Sequence, residues 1–86
     1  MNKLVGAIIL SVSLVPHIAV ADKRPPENSL PLSDVIRMLE EKGYYPVTEV
    51  DIDDGLWEVE AFKGTEAREL KVDPKTGAIV SDKPDD

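Results

Sequence analysis

From Leu32 onward the chain carries two different hydrophobic periods in succession. Leu32, Val35, Ile36 and Leu39 recur at i, i+3, i+4 and i+7, which gathers them into one helical stripe, with Asp34, Arg37 and Glu41 on the opposite side. Ser33 stands where a hydroxyl can cap the first turn, and Asp34 complements the positive helix end. Lys42 suits the negative end, and Gly43 suits the left-handed residue just past it. These signals predict a helix over residues 33–42.

After Tyr44-Tyr45-Pro46 the period shortens to two. Asp54-Gly55 is a tight hairpin signal; counting outward from it sets Ile52 opposite Trp57, Asp51 opposite Glu58, Val50 opposite Val59 and Glu49 opposite Glu60. Gly64-Thr65 fits a second two-residue turn, which sets Glu60 opposite Glu69, Val59 opposite Leu70, Glu58 opposite Lys71 and Trp57 opposite Val72. The two turns agree. Both put Val50, Ile52, Trp57, Val59, Leu70 and Val72 on one side of an antiparallel sheet, where the helical stripe can cover them. Trp57, the largest of these side chains, is expected at the centre of the core. Asp73-Pro74-Lys75-Thr76-Gly77 reads as a further turn, after which Ala78 to Val80 can return as a short edge strand.

Strict alternation would put Tyr45 and Val47 on the acidic side, which predicts a bulge near Pro46. It also puts Arg68 on the apolar side opposite Ala61, at a rim where its head can reach water. The expected class is α+β, one N-terminal helix on a three- to four-stranded antiparallel meander. Residues 22–31, with Pro25, Pro26 and Pro31, are expected to be an extended, mobile leader, and residues 81–86 a disordered tail. The folded domain is expected over residues 32–80.

The first 21 residues alter this picture. A single charge at Lys3 precedes an apolar run from Leu4 to Val15, Pro16 ends it, and Ala19-Val20-Ala21 offers small residues to a signal peptidase. This twelve-residue run, broken only by Gly6, Ser11 and Ser13, falls short of the roughly 20 residues a membrane-spanning helix needs. A cleaved signal peptide is therefore expected, with Asp22 as the first mature residue, no stable membrane anchor after cleavage, and a periplasmic or secreted product.

Cleavage would take the only histidine, His17, from a chain that has no cysteine, and would move the net charge from −7 to −8, because Lys3 is lost while all 17 acidic residues stay. That excludes a transition-metal site of the usual ligands, a cysteine or histidine nucleophile and a serine-histidine-aspartate triad from the mature product. Nucleic acid and anionic membrane surfaces are disfavoured as partners by their own negative charge. A domain this small buries only about 60% of its unfolded surface, and here no disulfide supplements the core.

The turn-fixed register sets Glu49, Glu60 and Glu69 in one cross-strand row and Asp51, Glu58 and Lys71 in the next. Like charges directly opposite are destabilising. Such a face can be a solvated exterior, a docking surface for a basic partner, or a weak site for a hard cation. Asp51-Ile52-Asp53-Asp54-Gly55 is no EF-hand loop, because aligning Gly55 with the invariant glycine puts Val50, Ile52 and Ala61 at ligand positions. Paired carboxylates on an open face, without a cleft, give no catalytic site. Tyr44, Tyr45 and Phe62 can form an apolar contact patch at the end of the sheet.

Leu30-Pro31-Leu32-Ser33 opening the helix, Leu39-Glu40-Glu41-Lys42-Gly43-Tyr44 closing it, the hairpin Asp54-Gly55-Leu56-Trp57-Glu58-Val59 and the turn Val72-Asp73-Pro74-Lys75-Thr76-Gly77 together resemble a PepSY domain over residues 30–80. PepSY domains occur in propeptides of secreted metallopeptidases and in exported or membrane-bound bacterial proteins, and are proposed to inhibit or regulate proteases. The resemblance implies no catalytic residues and no cofactor. It implies a non-enzymatic binding module acting in trans on a protein partner, a protease or an envelope sensor. The expected partner-binding residues are Glu49, Asp51, Glu58, Glu60, Phe62 and Glu69, with edge-strand addition through the third or last strand as one route. The alternative is a small-ligand or divalent-cation-binding protein that uses the same acidic face.

Overall fold

The computed structural model describes residues 23–86. The expected signal peptide, with His17, lies outside them. One helix, α1 (Leu32–Glu41), precedes four strands, β1 (Tyr44–Asp53), β2 (Leu56–Lys63), β3 (Glu66–Val72) and β4 (Ile79–Pro84). The strands form one antiparallel sheet in the order β1-β2-β3-β4. This is the α+β meander that the two periods imply.

The helix begins one residue before the expected start. Pro31, not Ser33, holds the N-cap position, and its carbonyl accepts from the N–H groups of Asp34 at 2.9 Å and Val35 at 3.2 Å. No side chain caps this end. The extended Pro31 backbone (φ −55°, ψ 139°) already aims its carbonyl at the first turn, so the Ser33 hydroxyl is left exposed within the helix. At the other end Gly43 takes φ +95° and donates to the Glu40 carbonyl, as the sequence suggests.

Both hairpin registers agree with expectation, residue for residue. Gly55 adopts φ +78° and follows Asp54 at φ +55°, the pair of left-handed residues that a two-residue hairpin of this twist requires. Near Pro46, β1 carries not one irregularity but two, between Tyr44 and Val47 and between Val47 and Glu49. Each adds one residue, and two such insertions return the chain to its original side. Val47, between the two, thereby turns inward and packs against the core opposite Ala61, while Tyr44 keeps the inner side that alternation gives it. Thr48 closes the second bulge by donating to the Glu60 carbonyl at 3.1 Å.

The core unites Val35 and Leu39 of α1 with Tyr44, Ile52, Trp57, Val59, Ala61, Leu70 and Val72 of the sheet. Leu30 donates its backbone N–H to Pro74 at 2.8 Å, which ties the chain before α1 to the turn after β3. In that turn Gly77 lies so close to α1 that a Cβ would come within 2.6 Å of the Met38 thioether.

The C-terminal segment differs from expectation. Most of the segment expected as a disordered tail belongs to β4: Ser81, Asp82, Lys83 and Pro84 pair with Lys71, Leu70, Glu69 and Arg68, and Asp85 donates to the Ala67 carbonyl. Backbone pairing needs no apolar side chains, so the polar composition there concealed a strand. As a result β3 is interior, and the free edges belong to β1 and β4, not to β3. The leader makes contacts of its own. The Ser29 hydroxyl donates to the Pro26 carbonyl, and Lys23 reaches Asp51.

Candidate interaction face

Alternate residues of β1, β2 and β3 point away from the core and assemble the outer face. Its first row reads Glu49, Glu60, Glu69 and Lys83 across the four strands, and its second reads Asp51, Glu58, Lys71 and Ser81. Glu49, Asp51, Glu58, Glu60 and Glu69 line a shallow hollow of about 220 Å³. Five of the six expected partner-binding residues are thus brought together, and Phe62 lies one step beyond Glu60 on the same side of β2, 36% exposed.

Charge on this face is unevenly answered. Lys71 and Lys83 stand on the β3 and β4 side, while among the described residues the β1 side meets a cation only at Asp51. There the Lys23 ammonium donates to both carboxylate oxygens, at 3.0 and 3.2 Å, and the Ile52 N–H donates to Oδ1 at 2.8 Å. The Lys23 hydrogen bond, and after it the Ile52 N–H, hold the Asp51 carboxyl below its ordinary pKa. Glu49, Glu60 and Glu69 form no ion pair among the described residues.

The aromatic patch is smaller than expected. Tyr45 is 67% exposed, but Tyr44 is buried at 5%, on the same side as Val50 and Ile52, because the second insertion cancels the first. Its hydroxyl donates to Asp82 Oδ2 at 2.7 Å, and Arg68 Nε donates to Oδ1 of the same carboxylate at 2.8 Å. Arg68 also reaches Glu66 at 3.3 Å, and Lys63 stands 4.5 Å above the Tyr44 ring. Arg68 therefore does not simply extend to water from the rim: its side chain is 19% exposed and pairs with two carboxylates. The Tyr44 hydrogen bond is the largest influence lowering the Asp82 pKa, and the Asp82 bond is the largest raising that of Tyr44. This clip fastens the start of β1 to β3 and β4.

Asp82 and Lys23 escaped the sequence reading because both lie in segments that look like polar termini. Unbroken continuation of the register past Val80 would set Asp82 opposite Glu69; a bulge between Ile79 and Ser81 sets it opposite Leu70 instead, on the side where it meets Arg68. Nothing local marks Lys23. The helix and the core lie on the opposite side of the sheet, so the acidic hollow is open to solvent. Among the described residues, no three carboxylates are grouped to hold a metal ion, and no helix is long and apolar enough to cross a membrane.

No curated protein and no solved structure matches the chain. The family model described as the peptidase propeptide and YPEB domain does match, over residues 5–83, a span wider than residues 30–80 that carry the motifs. With that match and the helix-on-meander fold, the chain belongs to the PepSY family.

Proposed function

We propose that the chain is an exported, non-enzymatic PepSY module that binds a protein partner, a protease or an envelope protein, in trans through the outer face of its sheet. PepSY domains are typically non-catalytic, propeptide-like modules that occur in exported proteins and interact with proteases or other proteins. The observation that carries the reading is the hollow of five carboxylates, in which Glu49, Glu60 and Glu69 stand in one row without a paired cation among the described residues. Such a face has a negative potential that favours a cationic surface and speeds its encounter. Phe62 beside it supplies an apolar contact at one end.

The test compares the unmodified chain with a variant carrying Glu49→Gln, Glu60→Gln and Glu69→Gln. Both are immobilised and exposed to envelope extract, and the retained proteins are identified by mass spectrometry. A partner retained by the first and lost by the second supports the reading. Equal retention overturns it.

A further inference from the structure

We propose that the leader around Lys23 is an intramolecular occupant of the acidic face, a strap that a cationic partner displaces when it binds. The inference rests on the docking role proposed for that face and adds to it a built-in competitor.

Lys23 is 28 residues away from Asp51 in sequence, yet its ammonium bridges both oxygens of that carboxylate. The path between them is anchored. Leu30 is held by the Pro74 carbonyl and Ser29 closes onto Pro26, so the strap is fixed at its α1 end. From there it passes the β1–β2 turn, where Arg24, Pro25, Pro26 and Glu27 enclose a gap of about 440 Å³ with Gly55. Two adjacent prolines limit the conformations of this short stretch and keep the Lys23 ammonium at high effective concentration beside Asp51.

The contact itself is weak. Its two side chains are 61% and 57% exposed, so salt screens it and neither is committed to the core. A partner that places its own ammonium or guanidinium on Asp51 must first break this pair, which by the strength of exposed ion pairs should lower its affinity by about two- to five-fold. A weak internal pair can be displaced by a partner that also engages the Glu49 row, while a single stray cation gains little.

The experiment uses the full chain labelled with ¹⁵N, pentalysine as probe, and low-salt buffer. Lys23→Ala should shift the Ile52 amide resonance, because the Ile52 N–H bonds the same Asp51 carboxylate, and it should tighten pentalysine binding by about two- to five-fold. Lys75→Ala removes the same charge from the exposed turn and sets the baseline for net charge alone. An Ile52 amide unmoved by Lys23→Ala overturns the strap. So does pentalysine affinity no higher for Lys23→Ala than for Lys75→Ala. Failure of the docking role itself has a different signature: pentalysine does not bind at all, or the triple glutamine variant binds it as tightly as the unmodified chain.

Discussion

The two faces of this sheet are made from alternate residues of the same strands, and opposite forces govern them. On the inner face Val59, Leu70 and Val72 are fully buried beneath Val35 and Leu39. Each loses stability if shortened, and each is held in place by its neighbours. On the outer face Glu60 stands between Glu49 and Glu69, an arrangement that costs stability and that folding does not require. In a small domain without disulfides the inner face has little margin, whereas the outer face is free to take many other residues. A destabilising charge row on the face with that freedom is the feature that points toward binding.

The sharpest way to break the contrast is to cut one residue on each side of β3. Leu70 is 0% exposed and Glu69 adjoins it on the other face. Leu70→Ala should cost about 2–5 kcal/mol, the range for a truncated core leucine. Glu69→Ala should stay within about 0.5 kcal/mol of the unmodified chain. Urea titration followed by Trp57 fluorescence measures both. Equal losses would erase the distinction between the faces.

The clip of Tyr44, Asp82 and Arg68 sits on the inner side but is polar, so it sharpens the comparison. Asp82→Asn should cost about 1–3 kcal/mol, since it weakens a charged acceptor of two hydrogen bonds. Its pH signature has a definite sign. The folded Asp82 carboxyl has a lowered pKa, so its stabilisation is present above the unfolded value near about 4 and is lost as pH falls through the lower folded value. The folded Tyr44 hydroxyl has a raised pKa, so its contribution is present below about 10 and is lost as pH rises through the higher folded value. Melting temperatures across both ranges should fall less steeply in Asp82→Asn than in the unmodified chain. Parallel curves would show that the clip contributes nothing.

Smaller effects belong to the turns. Gly77→Ala should cost about 1–2 kcal/mol, because φ is +77° and the left-handed backbone penalises any Cβ. The Met38 thioether that the Cβ would meet is the end of a flexible side chain and can move aside. Gly55→Ala shares the backbone strain, at φ +78°, with no atom within 4 Å of the new Cβ. The difference between their melting temperatures isolates the packing of the turn on α1; equal values would show that Met38 yields freely.

How much of this was legible depended on whether a residue's place followed from alternation. The hairpin turns at Asp54-Gly55 and Gly64-Thr65 set the register, and with it the acidic rows, because a one-residue slip would have sent Ile52, Trp57, Val59 and Leu70 into water. The bulge near Pro46 announced itself by breaking the alternation, though its double form, which returns Tyr44 to the inner side, did not. Residues 81–84 were lost because a strand paired through its backbone leaves no apolar signature. Lys23 was lost because its partner is remote in sequence, and an exposed ion pair leaves no pattern around either residue.

The smallest predicted effect bears most directly on why the outer face is acidic. Glu60 faces a carboxylate on each side, so Glu60→Gln should stabilise the domain by about 0.2–1 kcal/mol at low salt, and salt should shrink the gain as it screens the row. Leu70→Ala, acting through burial, should keep its effect as salt rises. A salt series of thermal melts on both variants separates the two forces. If Glu60→Gln instead destabilises at low salt, the row is part of what holds the sheet together, and its acidity then needs no partner to explain it. If it stabilises and also weakens partner retention, the domain keeps at Glu60 a charge that folding disfavours and binding uses.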